Sequence, residues 1–185
     1  MDKIISVARY IFERYQQESG EVIDEMKLHK LLYFAQRESL AITNEPMFEG
    51  EFEGWKYGPV CRELRAVYTV DGIVDAPLDI TGSSKYIANN VISQYGGLAT
   101  WKLSKLSHQE TSWINSRRGL HADEVGRVKL TLEDIRKDAE KVRPYDSVWD
   151  MYYDEFDDCE LKSCELCGEA LNALEEHYRH CARID

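Results

Sequence analysis

Between Asp24 and Ala41 the apolar residues Met26, Leu28, Leu31, Leu32, Phe34 and Ala35 nearly encircle a helix. A helix with a single apolar stripe lies on a surface, whereas one that is apolar on most sides must be enclosed by other elements. This segment therefore predicts a central helix with the rest of a core packed around it. Asp24 is suited to open it, because a carboxylate at the N-cap accepts from a first-turn amide that has no partner in the helix.

The flanking segments supply that surrounding layer. Ile4, Ile5, Ala8, Ile11, Phe12 and Tyr15 recur at helical spacing and are stopped by Ser19-Gly20. From Met47 to Trp55 the aromatic residues Phe48, Phe52 and Trp55 alternate with Glu49, Glu51 and Glu53, broken by Gly50 and Gly54, which predicts a short hairpin or extended loop. Tyr57-Gly58-Pro59 is a turn signal, and Pro59 can open a helix carrying Val60, Leu64, Val67 and Tyr68 that Asp71-Gly72 closes. After a loop from Asp75 to Ser84, a helix carries Tyr86, Ile87, Val91, Ile92 and Tyr95 to Gly96-Gly97, and Leu98 to Leu106 follows as another. Ser107 and Glu110 have the spacing of a capping box, which would place Trp113 and Ile114 on the inner face of the next helix. A last helix opens at Thr131 with Leu132, Ile135 and Ala139, and Pro144 ends the domain. The fold class is mainly α: a compact helical domain over residues 1–144 with a short β-hairpin or extended loop, an acidic aromatic linker or helix over 145–158, and a small zinc-finger-like module over 159–185.

Charge separates the same parts. Residues 1–144 carry 20 Lys+Arg against 22 Asp+Glu, a net of −2, and residues 145–185 carry 3 against 12, a net of −9. Affinity for nucleic acid comes mostly from neutralised phosphates, so the tail disfavours DNA and RNA and points to a protein partner. No run reaches the ~20 apolar residues that cross a bilayer, and the start lacks the form of a secretory signal, which places the chain away from membranes and in the cytoplasm. In a reducing compartment clustered thiols act as metal ligands more readily than as disulfides.

That clustering is concentrated in the tail. Cys164 and Cys167 form a C-x-x-C pair, and His177 and Cys181 lie one turn apart in a helix-like segment, so two thiolates on a knuckle meet an i, i+4 pair on one face. The spacing predicts one structural zinc ion held by Cys164, Cys167, His177 and Cys181, with Cys159 and His180 as spare ligands. Upstream, Trp149, Tyr153 and Phe156 repeat at helical intervals among seven carboxylates from Tyr145 to Glu160. They form either a helix laid on the domain or an acidic recognition helix for a partner's basic groove.

Three stretches resemble a known family: Lys27-Leu28-His29-Lys30-Leu31-Leu32-Tyr33-Phe34-Ala35-Gln36, Phe52-Glu53-Gly54-Trp55-Lys56-Tyr57-Gly58-Pro59-Val60, and Leu106-Ser107-His108 with Trp113. In this order and spacing they look like the Panacea domain, over about residues 3–142. That family includes SocA-like antitoxins and GepA-like phage-associated proteins. The resemblance implies a mostly helical domain that neutralises a cognate toxin by direct protein contact, without catalysis. His29 stands where glutamine is common in the family, and Ser107-His108-Gln109 replaces the usual Thr-His pair.

No catalytic residue is expected. Ser107 and His108 are adjacent and do not face each other, so they form no nucleophile and base pair; His29, His121 and Cys61 are isolated; no glycine-rich phosphate loop is present. Trp55, Lys56 and Tyr57 are the candidate partner-binding residues of the domain, either as an exposed aromatic contact surface or as a structural corner. The expectation is an antitoxin-like protein whose zinc tail extends the contact. The alternatives are a phage accessory protein that binds a host protein or delivers it for proteolysis, and a zinc-containing transcriptional regulator.

Overall fold

The computed structural model describes residues 1–73 and 77–143. The acidic aromatic segment with Trp149, Tyr153 and Phe156, and the predicted ligands Cys159, Cys164, Cys167, His177, His180 and Cys181, lie outside the described residues.

The described chain runs β1 (Asp2–Lys3), α1 (Ile4–Ser19), α2 (Glu25–Thr43), β2 (Phe48–Glu49), β3 (Phe52–Trp55), β4 (Gly58–Cys61), α3 (Arg62–Val67), β5 (Tyr68–Thr69), β6 (Gly72–Ile73), α4 (Gly82–Tyr95), α5 (Thr100–Ser107), α6 (Thr111–Ser116) and α7 (Leu132–Ala139). It is mainly α, with the strands limited to three small pairs.

Helix α2 is central, as its apolar distribution predicts. Every residue from Leu28 to Leu40 is buried, and α1, α4, α5, α7 and β4 all pack on it. Asp24 caps it, accepting from the Lys27 amide at 2.8 Å. Two polar residues of this enclosed helix, Gln36 and Arg37, meet specific partners, as burial in a low-dielectric interior favours. Gln36 accepts from the amides of Met47 and Phe48 and donates to the Phe48 carbonyl, which seats β2 beside β1 in a parallel pair. Arg37 binds Glu110, Glu38 and the Tyr95 hydroxyl and lies over the Phe34 ring.

Strands β3 and β4 form an antiparallel hairpin in the register Phe52–Cys61 to Trp55–Gly58. Residues 128–130 return along the other edge of β3: Gly54 donates to the Val128 carbonyl and Leu130 to that of Phe52. The hairpin is longer than expected. Gly58 to Cys61 is a strand, and α3 opens at Arg62 behind Cys61, not at Pro59. Pro59 fits there because it stands opposite Gly54 in a non-hydrogen-bonded pair, so its missing N–H falls on the side of β4 away from β3, the side from which Lys30 reaches the Pro59 carbonyl. Helix α3 ends at Val67, and Val70 and Asp71 form the turn of the β5–β6 hairpin, with Gly72 opening β6.

The capping box does not form. Ser107 is the last residue of α5 and donates to the Ser104 carbonyl, while Glu110 is drawn to the buried Arg37. Helix α6 is capped instead from α7. The buried Asp138 carboxylate accepts from the amides of Thr111 and Ser112 and from the Tyr33 hydroxyl. The inner residues of α6 are Ser112 and Ser116; Ile114 is exposed and Trp113 half-buried, turned to the hairpin.

Candidate functional site

Trp55, Lys56 and Tyr57 sit at the tip of the β3–β4 hairpin. The register pairs Trp55 with Gly58, leaving Lys56 and Tyr57 as the two turn residues. Two-residue hairpins usually use turns with positive φ at the central positions. Here neither turn residue has one, and the left-handed conformation falls on Gly58 at φ 106°. A Cβ at Gly58 would come 2.4 Å from Ser107 Oγ and 2.6 Å from Lys30 Cε, so both the angle and the space demand glycine.

Neighbouring side chains hold the tip on every side. Trp113 Nε1 donates to the Trp55 carbonyl at 2.9 Å, and the His108 ring stacks on the Trp113 indole with centroids 4.0 Å apart. Trp55 Nε1 donates to the buried Glu53, and the Arg65 guanidinium lies over the Trp55 ring at 4.9 Å. Lys56 pairs with Asp123. The loop carrying Asp123 is shaped by the buried Arg117, which donates to the carbonyls of Gly54, His121, Ala122 and Glu124. Tyr57 remains 54% exposed, while Trp55 and Lys56 are half-buried. The stretch is thus a packed corner from which one ring, that of Tyr57, is open to solvent.

Beneath the tip lies a cleft of about 350 Å³ between the hairpin and one face of α2. Met26, His29 and Lys30 line it from the helix, at the i, i+3, i+4 spacing that shares a face. Trp55, Tyr57 and Val60 line it from the hairpin, and Glu25, Arg65 and Asp123 stand at its edges. His29 is 3% exposed. Its Nδ1 accepts from the Cys61 amide, which leaves the proton of the neutral ring on Nε2, 3.5 Å from Glu25 Oε1. Burial, with Lys30 and Arg65 nearby, lowers the His29 pKa to about 3. Lys30 is 1% exposed and donates to the Pro59 carbonyl at 3.0 Å. Burial lowers its pKa to about 7, against a raising effect of Asp24. His108 is likewise lowered by burial and then by Lys30 and Arg117.

The cleft can accept an apolar group against Met26, Val60 and the two rings, and a polar group at Lys30. Ser107 and His108 do not come together as a nucleophile and base. Ser107 Oγ is spent on Ser104, and the His108 ring is stacked on Trp113. Sequence reasoning reached the hairpin tip but missed His29, Lys30 and Arg65. The available signal was a histidine and a lysine one turn from Met26, set among the apolar residues Leu28, Leu31, Leu32 and Phe34.

Residues 28–114 match the family model described as Antitoxin SocA-like, Panacea domain. The match is narrower than the residues 3–142 over which the motifs resemble that family, and it contains the hairpin, α3 and most of the cleft. Over 72 residues the chain is 33% identical to Antitoxin SocA of Caulobacter vibrioides (strain NA1000 / CB15N), covering 39% of this chain and 32% of that protein. The chain thus spans about a third of the length of the curated relative it matches. No solved structure matches. Among the described residues no helix is long and apolar enough to cross a membrane.

Proposed function

Since residues 28–114 carry a SocA-like Panacea domain, we propose that this chain is an antitoxin-like protein that neutralises a cognate toxin by direct protein–protein contact at the β3–β4 hairpin. The observation that carries this reading is the Trp55-Lys56-Tyr57 tip, a half-buried and an exposed aromatic held on a braced hairpin inside the matched segment. Aromatic residues whose backbone is fixed before binding lose little entropy on contact, which is why tyrosine and tryptophan dominate binding hot spots. Binding alone accounts for the arrangement. The description of the matched family, Antitoxin SocA-like, supports a binding role.

The tail enters the same proposal as an accessory module: Cys164, Cys167, His177 and Cys181 hold a structural zinc, and the acidic segment with Trp149, Tyr153 and Phe156 extends the contact. Co-expression with the toxic product of a neighbouring gene tests the whole reading. Growth is restored and the two proteins co-purify, and Tyr57→Ala weakens both without unfolding the chain. Failure to rescue growth or retain any neighbouring product overturns it.

A further inference from the structure

Lys30 is the most buried lysine or arginine among the described residues. Arg37, the next, is matched by Glu38 and Glu110, and Arg117 by four carbonyls. Lys30 has one carbonyl, that of Pro59, and no carboxylate within ion-pair distance among the described residues. Arg65 is in a related position at the mouth of the same cleft: its guanidinium covers the Trp55 ring and meets no carboxylate among them. Of the two carboxylates of the cleft, Asp123 pairs with Lys56, and Glu25 stands 3.5 Å from the neutral His29 ring without reaching Lys30 or Arg65 at ion-pair distance. Lys30 and Arg65, neither of them in an ion pair among the described residues, therefore flank a cavity whose apolar wall includes Met26, Trp55, Tyr57 and Val60. An amine enclosed without a counter-ion is costly to charge, so a fold that served packing alone would gain by an apolar residue of the same length.

We propose that this cleft seats an acidic side chain of the partner polypeptide, its carboxylate bound by Lys30 Nζ and the Arg65 guanidinium and its apolar neighbour packed on Trp55 and Tyr57. The inference rests on the reading of the hairpin as the partner's surface and names what that surface recognises. A single negative charge fits better than a phosphate, because Glu25 and Asp123 at the edges repel a dianion more strongly than a carboxylate. Binding would return Lys30 toward its ordinary protonated state, and Asp24, His29 and His108 are the titratable groups whose charges reach it.

The test uses the full chain, isotope-labelled, and three capped peptides, acetyl-Gly-Phe-X-Leu-Gly-amide with X glutamate, glutamine or lysine, titrated by NMR. The glutamate peptide binds at least tenfold tighter than its glutamine twin, shifts the hairpin amides, and raises the Lys30 titration midpoint by about one pH unit, the linkage equivalent of a tenfold preference for the charged amine. Lys30→Met removes that preference while keeping or raising the melting temperature. Arg65→Gln, at an exposed position, weakens it in a chain whose core is untouched. Equal binding of the glutamate and glutamine peptides, binding of neither, or a preference that survives Lys30→Met overturns the proposal. If the preference is absent while the toxin complex still forms, the carboxylate inference alone fails. A glutamate preference without toxin neutralisation instead removes the antitoxin reading.

Discussion

The Trp113 indole donates its Nε1 proton to the carbonyl oxygen of Trp55 at 2.9 Å, across 58 residues of chain. This bond ties α6 to the last strand residue before the hairpin turn, so the aromatic tip takes its orientation from a helix that the partner need not touch. Trp113→Phe keeps a ring against His108 and removes the donor. One hydrogen bond of this kind contributes about 1 kcal/mol. Partner affinity is therefore expected to fall by roughly three- to tenfold with a similar small loss of stability, measured by calorimetric titration beside thermal unfolding. An unchanged affinity would show that the tip orients itself.

Asp138 joins three elements, since its buried carboxylate serves two α6 amides and the Tyr33 hydroxyl on α2. Asp138→Ala leaves the two α6 amides without their acceptor and the Tyr33 hydroxyl with Ser112 Oγ alone. The expected loss is about 2–4 kcal/mol in denaturant unfolding, and a loss below about 1 kcal/mol would mean that water replaces the carboxylate.

His29 makes stability sensitive to acid. Its imidazole protonates near 6.5 when unfolded and at about 3 in the fold, so between those values the unfolded chain binds more protons. Stability from this group is present above about pH 6.5 and drains away as the pH falls toward 3, at up to about 1.4 kcal/mol per unit. The cause is visible in the geometry, because burial excludes the charge, Nδ1 is occupied by the Cys61 amide, and Lys30 and Arg65 oppose a further cation. His29→Gln offers an amide oxygen to Cys61 that does not titrate. Unfolding free energies at pH 6.5 and 4.5 should differ by about 2 kcal/mol less in this variant than in the parent chain, and equal differences would refute the assignment.

The proposed zinc centre has its own measurement. Purified full-length protein is expected to hold about one zinc per chain by elemental analysis, as a four-ligand structural site requires. Cys164→Ser with Cys167→Ser should remove it, whereas an occupancy unaffected by these changes would exclude the site.

What could be read in advance divides along physical lines. Helices α1, α2 and α4 follow from local periodicity, because a repeat of apolar residues at 3.6 spacing is written into consecutive positions. The β3–β4 hairpin was only half legible. Gly58-Pro59 has the chemistry of a helix start, and only the return of residues 128–130 along β3 makes a strand there satisfied. Ser107 and Glu110 fail as a capping box for a similar reason: a buried arginine on α2, distant in sequence, claims the glutamate. At the site, Trp55, Lys56 and Tyr57 are contiguous and could be singled out. Lys30, Arg65 and Asp123 come from α2, α3 and the loop shaped by Arg117, and become neighbours only through the fold.

The position of the turn residues has a further consequence. Gly58, Pro59 and Trp55 are fixed by contacts behind the hairpin, but Lys56 and Tyr57 project from a two-residue turn and belong to no core. Substitution of Tyr57 alters the presented surface while leaving the backbone contacts behind the hairpin intact, and substitution of Lys56 gives up only its exposed pair with Asp123. If the hairpin tip is the contact surface, what it recognises can thus change by small steps, each of which passes through a folded intermediate.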